Sequence, residues 1–285
     1  MARALVLLGV AAAAILGYAA LTANGRGGAA GPAGVAAATS RLRAERPAPE
    51  RLRVRVLASF PHDTAAYTQG LVWDAGALLE SSGGYGQSFV RRWRPGSDHP
   101  LVEQRLPGHM FAEGLAVVGE RVIQITWREG VALYRDRATL EEIDRRSYEG
   151  EGWGLCWDGQ RLIMSDGSDT LTLRDPESFD PSGSVVVRTG TVPLANLNEL
   201  ECAEGWVYAN LYGSDQIARI DPASGQVAAL IDASDLLTPR ERAGGAEVLN
   251  GIAYNADTET FFLTGKLWPR LFEVVFEPAA GPVRP

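Results

Sequence analysis

The sequence predicts an all-β protein: a five-bladed β-propeller whose N-terminal strand closes the last blade. Three observations lead there. A short phrase recurs five times, a polar or aromatic residue, usually Gly, then Leu or Ile opening a strand. The copies are Gln69-Gly70-Leu71, Glu113-Gly114-Leu115, Trp153-Gly154-Leu155, Asn198-Glu199-Leu200 and Asn250-Gly251-Ile252. From Gly70 the steps are 44, 40, 45 and 52 residues, and a strand-rich repeat near forty residues is the mark of a propeller with one repeat per blade. Finally, each copy is followed by a regular run of further strand signals.

The second strands are read at 77–81, 121–126, 161–165, 206–211 and 260–264. The third strands, at 88–93, 131–135, 170–174, 216–221 and 270–275, alternate apolar and polar residues, as a half-buried strand does. Asp175-Pro176-Glu177-Ser178 and Asp221-Pro222-Ala223-Ser224-Gly225 supply turn chemistry after two of them. Fourth strands are shorter, at 103–106, 142–147, 185–189 and 226–232. The fifth repeat ends without one. The alternating segment Leu52-Val54-Val56-Ala58 is spare and completes it, which removes an open seam. A short helical insertion over 233–246 accounts for the long last step.

Of the 285 residues, 51–285 form the propeller domain, long enough for a real core. Residues 1–23 carry Arg3 and then an uncharged, mostly apolar run from Ala4 to Ala23. This is an export signal, either cleaved or retained as a membrane tether through residues 4–23. Residues 24–50, rich in Ala, Gly, Pro and Arg, form a flexible linker. The domain is therefore expected outside the cytoplasm, periplasmic or extracellular, and as a monomer. Net charge is −8 with both signs scattered and no basic stripe, so nucleic acid is not a partner. Cys156 and Cys202 are compatible with a disulfide in an exported chain. Their offsets from the repeat phrase differ by one, however, so they should point to opposite faces of their strands, which favours buried free thiols.

Inner strands of a propeller converge on an axis, so Gln69, Glu113, Trp153, Asn198 and Asn250 should face one another. A ring of polar caps over a water-filled channel is the plain reading. One carboxylate, several amides and an aromatic wall instead suit a pocket for a small polar ligand. A second ring, at the ends of the second strands, holds Glu80-Ser81-Ser82, Thr126-Trp127, Ser165-Asp166, Asn210-Leu211-Tyr212 and Gly265-Lys266-Leu267-Trp268. The histidines, His62, His99 and His109, lack zinc spacing and the cysteines form no CxxC pair. There is no nucleophile elbow, phosphate loop or dinucleotide fingerprint.

At these residues the chain resembles the plant and bacterial type of glutaminyl-peptide cyclotransferase. The resemblance rests on Tyr67-Thr68-Gln69-Gly70-Leu71, Glu80-Ser81-Ser82-Gly83, Phe111-Ala112-Glu113-Gly114-Leu115, Gln124-Ile125-Thr126-Trp127, Glu151-Gly152-Trp153-Gly154-Leu155, Leu197-Asn198-Glu199-Leu200-Glu201, Asn250-Gly251-Ile252-Ala253-Tyr254 and Thr264-Gly265-Lys266-Leu267-Trp268-Pro269, spread in order over 67–276. It implies a five-bladed propeller that converts the N-terminal glutamine of peptides or proteins to pyroglutamate and releases ammonia, with no metal or other cofactor. It places the catalytic carboxylate on Glu113, with Lys266 beside it as a donor to developing negative charge. Substrate contacts are expected from Tyr67, Gln69, Trp127, Trp153, Asn198, Tyr212, Asn250 and Trp268. Tyr67 departs from the family's usual Phe, and Tyr212 from its usual Trp. Two rival readings are a calcium-dependent lactonase-like hydrolase, with Glu113, Asn198, Asn250 and Asp166 as oxygen ligands, and a propeller that binds a peptide without catalysis.

Overall fold

A computed structural model of the chain describes residues 48–279. The expected export segment and most of the expected linker lie outside the described residues. Among the described residues the chain folds into sheets of four to eight strands, one two-stranded hairpin and one helical turn. The N-terminal strand is β1 (Glu50–Pro61). Three antiparallel four-stranded sheets follow in simple up-and-down order: β2 (Thr68–Asp74), β3 (Ala77–Ser82), β4 (Phe89–Trp93) and β5 (Val102–Arg105); β6 (Ala112–Val118), β7 (Arg121–Thr126), β8 (Val131–Asp136) and β9 (Glu142–Ser147); β10 (Leu155–Trp157), β11 (Leu162–Met164), β12 (Thr170–Arg174) and β13 (Pro181–Val186). A small hairpin, β14 (Arg188–Thr189) and β15 (Val192–Pro193), leads to β16 (Leu197–Ala203), β17 (Trp206–Leu211), β18 (Gln216–Ile220) and β19 (Val227–Asp232), and then to β20 (Leu249–Asn255), β21 (Thr260–Gly265) and β22 (Arg270–Pro278).

The last two groups are one eight-stranded sheet, because β1 lies between them. It pairs antiparallel with β22, from Leu52 opposite Pro278 to Pro61 opposite Arg270, as its alternating sequence predicts. It also pairs parallel with β19, from Glu50 opposite Ala229 to Arg53 opposite Asp232. The second pairing arises because the β19 edge would otherwise be left open beside it.

The first strand of each group packs beside the next: β2 on β6, β6 on β10, β10 on β16, β16 on β20, and β20 back on β2. These strands are covered on both faces and are almost wholly buried, whereas the outermost strands β9 and β13 are largely exposed. The core is divided accordingly, with one apolar cluster in each gap between neighbouring groups. Leu79, Val90, Leu115 and Val122, for example, fill the gap between the first two sheets. Tight turns begin the hairpins. Ala75 and Gly76 both have positive φ (49° and 80°), and they form the two-residue connection between paired Asp74 and Ala77.

Two sequence expectations need correction. The fourth strand of the third sheet is β13, several residues earlier than 185–189; Arg188 and Thr189 pair instead with Val192 and Pro193. Cys156 and Cys202 are joined by a disulfide, with a Cα–Cα distance of 5.4 Å. The two side chains do point to opposite faces of their strands, but that orientation brings them together rather than apart. The strands belong to neighbouring sheets stacked face to face, so the side chain that points forward from β10 meets the one that points backward from β16. The insertion before β20 is a single turn, Pro239–Ala243, started by a capping box between Thr238 and Glu241.

Candidate active site

The repeat phrase marks where the first strands crowd together. A Cβ on Gly70 would lie 2.9 Å from the backbone nitrogen of Leu115, and one on Gly114 only 2.5 Å from that of Leu155. Only glycine permits this approach. In four of the five strands the ladder also bulges at the phrase: between Thr68 and Gly70, Ala112 and Leu115, Leu197 and Leu200, and Leu249 and Ile252. A bulge turns a side chain away from the sheet normal. Gln69, Glu113 and Asn198 are thereby aimed at one mouth of the ring.

The ends of the second strands reach the same mouth. Trp127 follows β7, Tyr212 follows β17 and Lys266 follows β21. Together with Tyr67, Phe111 and Trp153 these side chains enclose a cavity of about 270 Å³. Members of both rings read from the sequence thus meet at one face. Eight of the ten expected site residues line the cavity: Tyr67, Gln69, Glu113, Trp127, Trp153, Asn198, Tyr212 and Lys266. Two do not. Trp268 is fully buried beneath Gly265, packed in the core with its indole nitrogen donating to the Glu247 carbonyl at 2.9 Å. Asn250 lies behind the cavity wall, where its amide nitrogen donates to the Thr68 carbonyl at 2.9 Å and to Gln69 Oε1 at 3.2 Å. Neither Glu80-Ser81-Ser82 nor Asp166 reaches the cavity. Glu80 is held in a buried network with His62, Thr68 and Arg91.

Glu113 is buried at the base. Gln69 Nε2 donates to its Oε1 at 3.1 Å, and among the described residues no protein group donates to its Oε2. Burial pushes its carboxyl well above the ordinary range; Lys266 opposes this, and Glu151 and Glu129 add to it. Lys266 is only 4% exposed, so it is not a solvated surface lysine. Its Nζ sits 4.8 Å from the centre of the Tyr67 ring and 5.5 Å from that of Tyr212. Burial lowers its pKa, while Glu113 and Glu247 hold it up. The turn that throws Lys266 inward contains Leu267 at a φ of 59°, a left-handed conformation fixed by its N–H donating to the Ala66 carbonyl at 2.8 Å.

The aromatic walls are braced. Trp153 and Tyr212 meet edge to face at 5.6 Å, and Phe111 lies 5.5 Å from Trp127 and 6.3 Å from Tyr67. Behind the indoles, Glu151 accepts from Trp127 Nε1 at 2.8 Å and Trp153 Nε1 at 3.1 Å. Burial works against its charge, but these hydrogen bonds and Arg128 outweigh it and keep its pKa low. The Tyr67 hydroxyl is pushed up to about 12 by burial and by Glu247, so it stays a neutral phenol. Phe111 and Glu151 were not among the expected site residues. Each sits two places before a ring residue, as Tyr67 does before Gln69, and that offset is legible in the sequence.

The only carboxylate lining the cavity is Glu113, no His or Cys lines it, and no group of three His, Cys, Asp or Glu among the described residues could hold a metal ion. The arrangement can move a proton at Glu113, stabilise negative charge with Lys266 or Asn198, and hold a small amide-bearing group between aromatic rings.

The fold and the site together are those of a glutamine cyclotransferase: residues 30–276 match the family model described as glutamine cyclotransferase, and the chain belongs to that family. It is 36% identical over 232 residues to a glutaminyl-peptide cyclotransferase of Arabidopsis thaliana, covering 80% of this chain and 72% of that one. It also superimposes on the crystal structure of Myxococcus xanthus glutaminyl cyclase with a TM-score of 0.76 and 42% identity, covering 81% of this chain and 99% of that one.

Proposed function

We propose that this chain is a glutaminyl-peptide cyclotransferase that cyclises the N-terminal glutamine of peptides and proteins to pyroglutamate, with Glu113 as general base and then general acid. The observation that carries this is Glu113 itself: a buried carboxyl, hydrogen-bonded by Gln69 and facing Lys266 across an aromatic cavity. The substrate's α-nitrogen attacks its own side-chain Cδ. A C–N bond forms, the carbonyl oxygen becomes an oxyanion, and Glu113 takes a proton from the nitrogen. Glu113 then delivers that proton to the side-chain nitrogen, the Cδ–N bond breaks and ammonia leaves.

A free α-amine titrates near 8. Burial raises the Glu113 carboxyl well above the ordinary range, which makes it a stronger proton acceptor than an exposed carboxylate. Lys266 and the Asn198 amide are the donors within the cavity for the oxyanion. Tyr67, Trp127 and Trp153 hold the glutamine side chain folded back on its own amine, and such orientation supplies several kcal/mol. The residues facing the cavity support a reaction that proceeds without a metal or other cofactor. Asn250 supports the site from behind rather than touching substrate, and Trp268 supports Gly265.

The sheets support a five-bladed propeller, the eight-stranded sheet being two blades joined through β1, and the active domain spans 51–285 as a monomer. The described residues contain no helix long and apolar enough to cross a membrane. Export by residues 1–23, with cleavage or tethering, is part of the same proposal and is checked by cell fractionation.

The test is direct. The full chain is incubated with a Gln-initiated peptide, and loss of ammonia is followed by mass spectrometry with and without a strong chelator. Cyclisation that survives the chelator is expected, together with a fall of about 10²–10⁴-fold in Glu113→Gln. Lactone hydrolysis abolished by the chelator, with no cyclisation, sinks the proposal, and so does a folded Glu113→Gln enzyme at full rate.

A further inference from the structure

The fourth copy of the repeat phrase has Glu199 where the other four have Gly. That side chain is 1% exposed and points to neither solvent nor the cavity. Its carboxylate reaches across the ring. Oε2 accepts from the backbone N–H of Ile252 at 2.9 Å, and Oε1 from that of Leu71 at 3.2 Å. Leu71 and Ile252 are the residues that directly follow the phrase glycines of the first and fifth repeats. One side chain thus ties together three strands, β16, β20 and β2, at the place where the end of the ring meets its beginning.

Two of those strands, β20 and β2, carry consecutive parts of one hydrogen-bonded chain that ends on Glu113. β20 holds Asn250, which donates to the Thr68 carbonyl and to Gln69 Oε1. The peptide after Asn250 is fixed from its other side, since the Gly251 N–H donates to Asn210 Oδ1 at 3.0 Å. β2 holds Gln69, which donates to Glu113 Oε1. β16 holds Asn198, in the cavity wall next to Glu199 itself. A buried carboxylate is costly to place. Where the other repeats meet, bare glycine backbones suffice, so ring closure by itself does not call for an acid here. What the carboxyl adds is a fixed spacing between the strands that carry Asn250 and Gln69.

We infer that Glu199 is a positioning residue for the cyclisation: by bridging the Leu71 and Ile252 N–H groups it holds Gln69 where its amide can orient the Glu113 carboxylate. This rests on the reading of Glu113 given above. Glu199 does not touch substrate; it acts through β2, β20 and the Asn250–Gln69 pair. Misplacing a catalytic group by about 1 Å can cost 10²-fold in rate, so loss of one of the two bridges should be felt at the chemistry.

The experiment compares Glu199→Gln, Asn250→Ala and Glu113→Gln with the full-length native chain. Glutamine at 199 keeps one acceptor but turns an NH₂ toward the other N–H, so one bridge is lost. The expected result for Glu199→Gln is a kcat lower by about 10-fold with KM within about twofold. The acid limb of its kcat profile should also move to higher pH, because a displaced Gln69 no longer favours ionised Glu113. Lys266, Glu151 and Glu129, the charged groups that act on Glu113, are untouched by the substitution, as is Glu201 beside residue 199. A folded Glu199→Gln enzyme with a lower Tm but native kcat and native pH limb makes Glu199 a structural strut only and overturns the inference. If Glu199→Gln does not fold, Asn250→Ala carries the test. It cuts the same chain one link later and should show the same shift of the acid limb; a native limb there overturns the inference too. An inactive Glu113→Gln beside a native Glu199→Gln removes this inference alone, whereas a fully active Glu113→Gln removes the underlying mechanism.

Discussion

Gln69 and Glu113 occupy the same place in successive repeats, and they touch: Gln69 Nε2 donates to Glu113 Oε1 at 3.1 Å. An amide from one sheet thus orients the carboxylate of the next. A hydrogen bond to the ionised form favours it, so Gln69 works against the burial that raises Glu113. In Gln69→Met the acid limb of the kcat/KM profile should move to higher pH, and the rate at neutral pH should fall by about 10-fold or more. A pH–rate series on a Gln-initiated peptide checks this, and an unmoved limb contradicts it.

Lys266 is the cation nearest the proposed oxyanion. Lys266→Met should cost about 10²–10³-fold in kcat, as removal of an oxyanion donor does elsewhere. Because Lys266 also holds the Glu113 pKa down, the acid limb should rise in the same variant. Lys266→Arg should recover little, since a planar guanidinium does not reproduce the compact ammonium held 4.8 Å from the Tyr67 ring centre and 5.5 Å from that of Tyr212. Steady-state kinetics of the two variants separate charge from shape.

Glu80 belongs to stability rather than to catalysis. It is completely buried, yet its pKa is lowered to about 2: burial opposes ionisation, but His62 and Arg91, with the Thr68 hydroxyl, outweigh it. A carboxyl with a depressed folded pKa stabilises the fold above its unfolded value, and that stabilisation is lost as pH falls through the folded value. Thermal stability should therefore decline between about pH 4.5 and 2. Glu80→Gln should lower stability at neutral pH by about 3–5 kcal/mol, because Arg91 and His62 lose their buried counter-charge. Denaturant titrations of the variant, with melts across pH, measure both effects.

The Cys156–Cys202 bond closes a long segment, since the two residues are 46 apart in sequence. The chain-entropy argument gives a stabilisation of about 4 kcal/mol for a loop of that size. Cys156→Ala/Cys202→Ala should thus melt roughly 10 °C lower. The bond also ties β10 to β16 just behind Trp153 and Asn198, so KM for a Gln peptide should rise in the variant. Calorimetry and kinetics on the same preparation test the two expectations.

How far the sequence carried the structure is visible in particular residues. The spacing from Gly70 to Gly251 located all five first strands, and the spare alternation of Leu52 to Ala58 located the strand that joins the ends. Glu113, Gln69, Trp153 and Asn198 were legible because each repeats a position while changing its chemistry. Trp268 was misread because adjacency to Lys266 says nothing about direction: the turn at Leu267 sends one side chain into the cavity and the other into the core. Asn250 was placed one shell too far inward for the same reason, as repeat position fixes the backbone and not the reach of the side chain. The disulfide was missed because it depends on stacking between sheets, which the alternation within one strand does not encode. Glu199 was visible as an oddity, but its partners, Leu71 and Ile252, lie 128 and 53 residues away in sequence.

The seat of β1 between β19 and β22 has a kinetic consequence. The earliest strand of the domain to leave the ribosome has its antiparallel partner in the last one, since Leu52 lies opposite Pro278. At 5–20 residues per second, β1 waits roughly 10–45 s for that partner to be made. Until then only its first residues gain a partner, the parallel β19 opposite Glu50 to Arg53, and its β22-facing side is an open edge. Contacts this far apart in sequence also form slowly once both partners exist. The newborn chain is therefore most vulnerable to misassembly before β22 is made, and truncation within Arg270–Pro278 should harm solubility far more than the loss of a few surface contacts suggests.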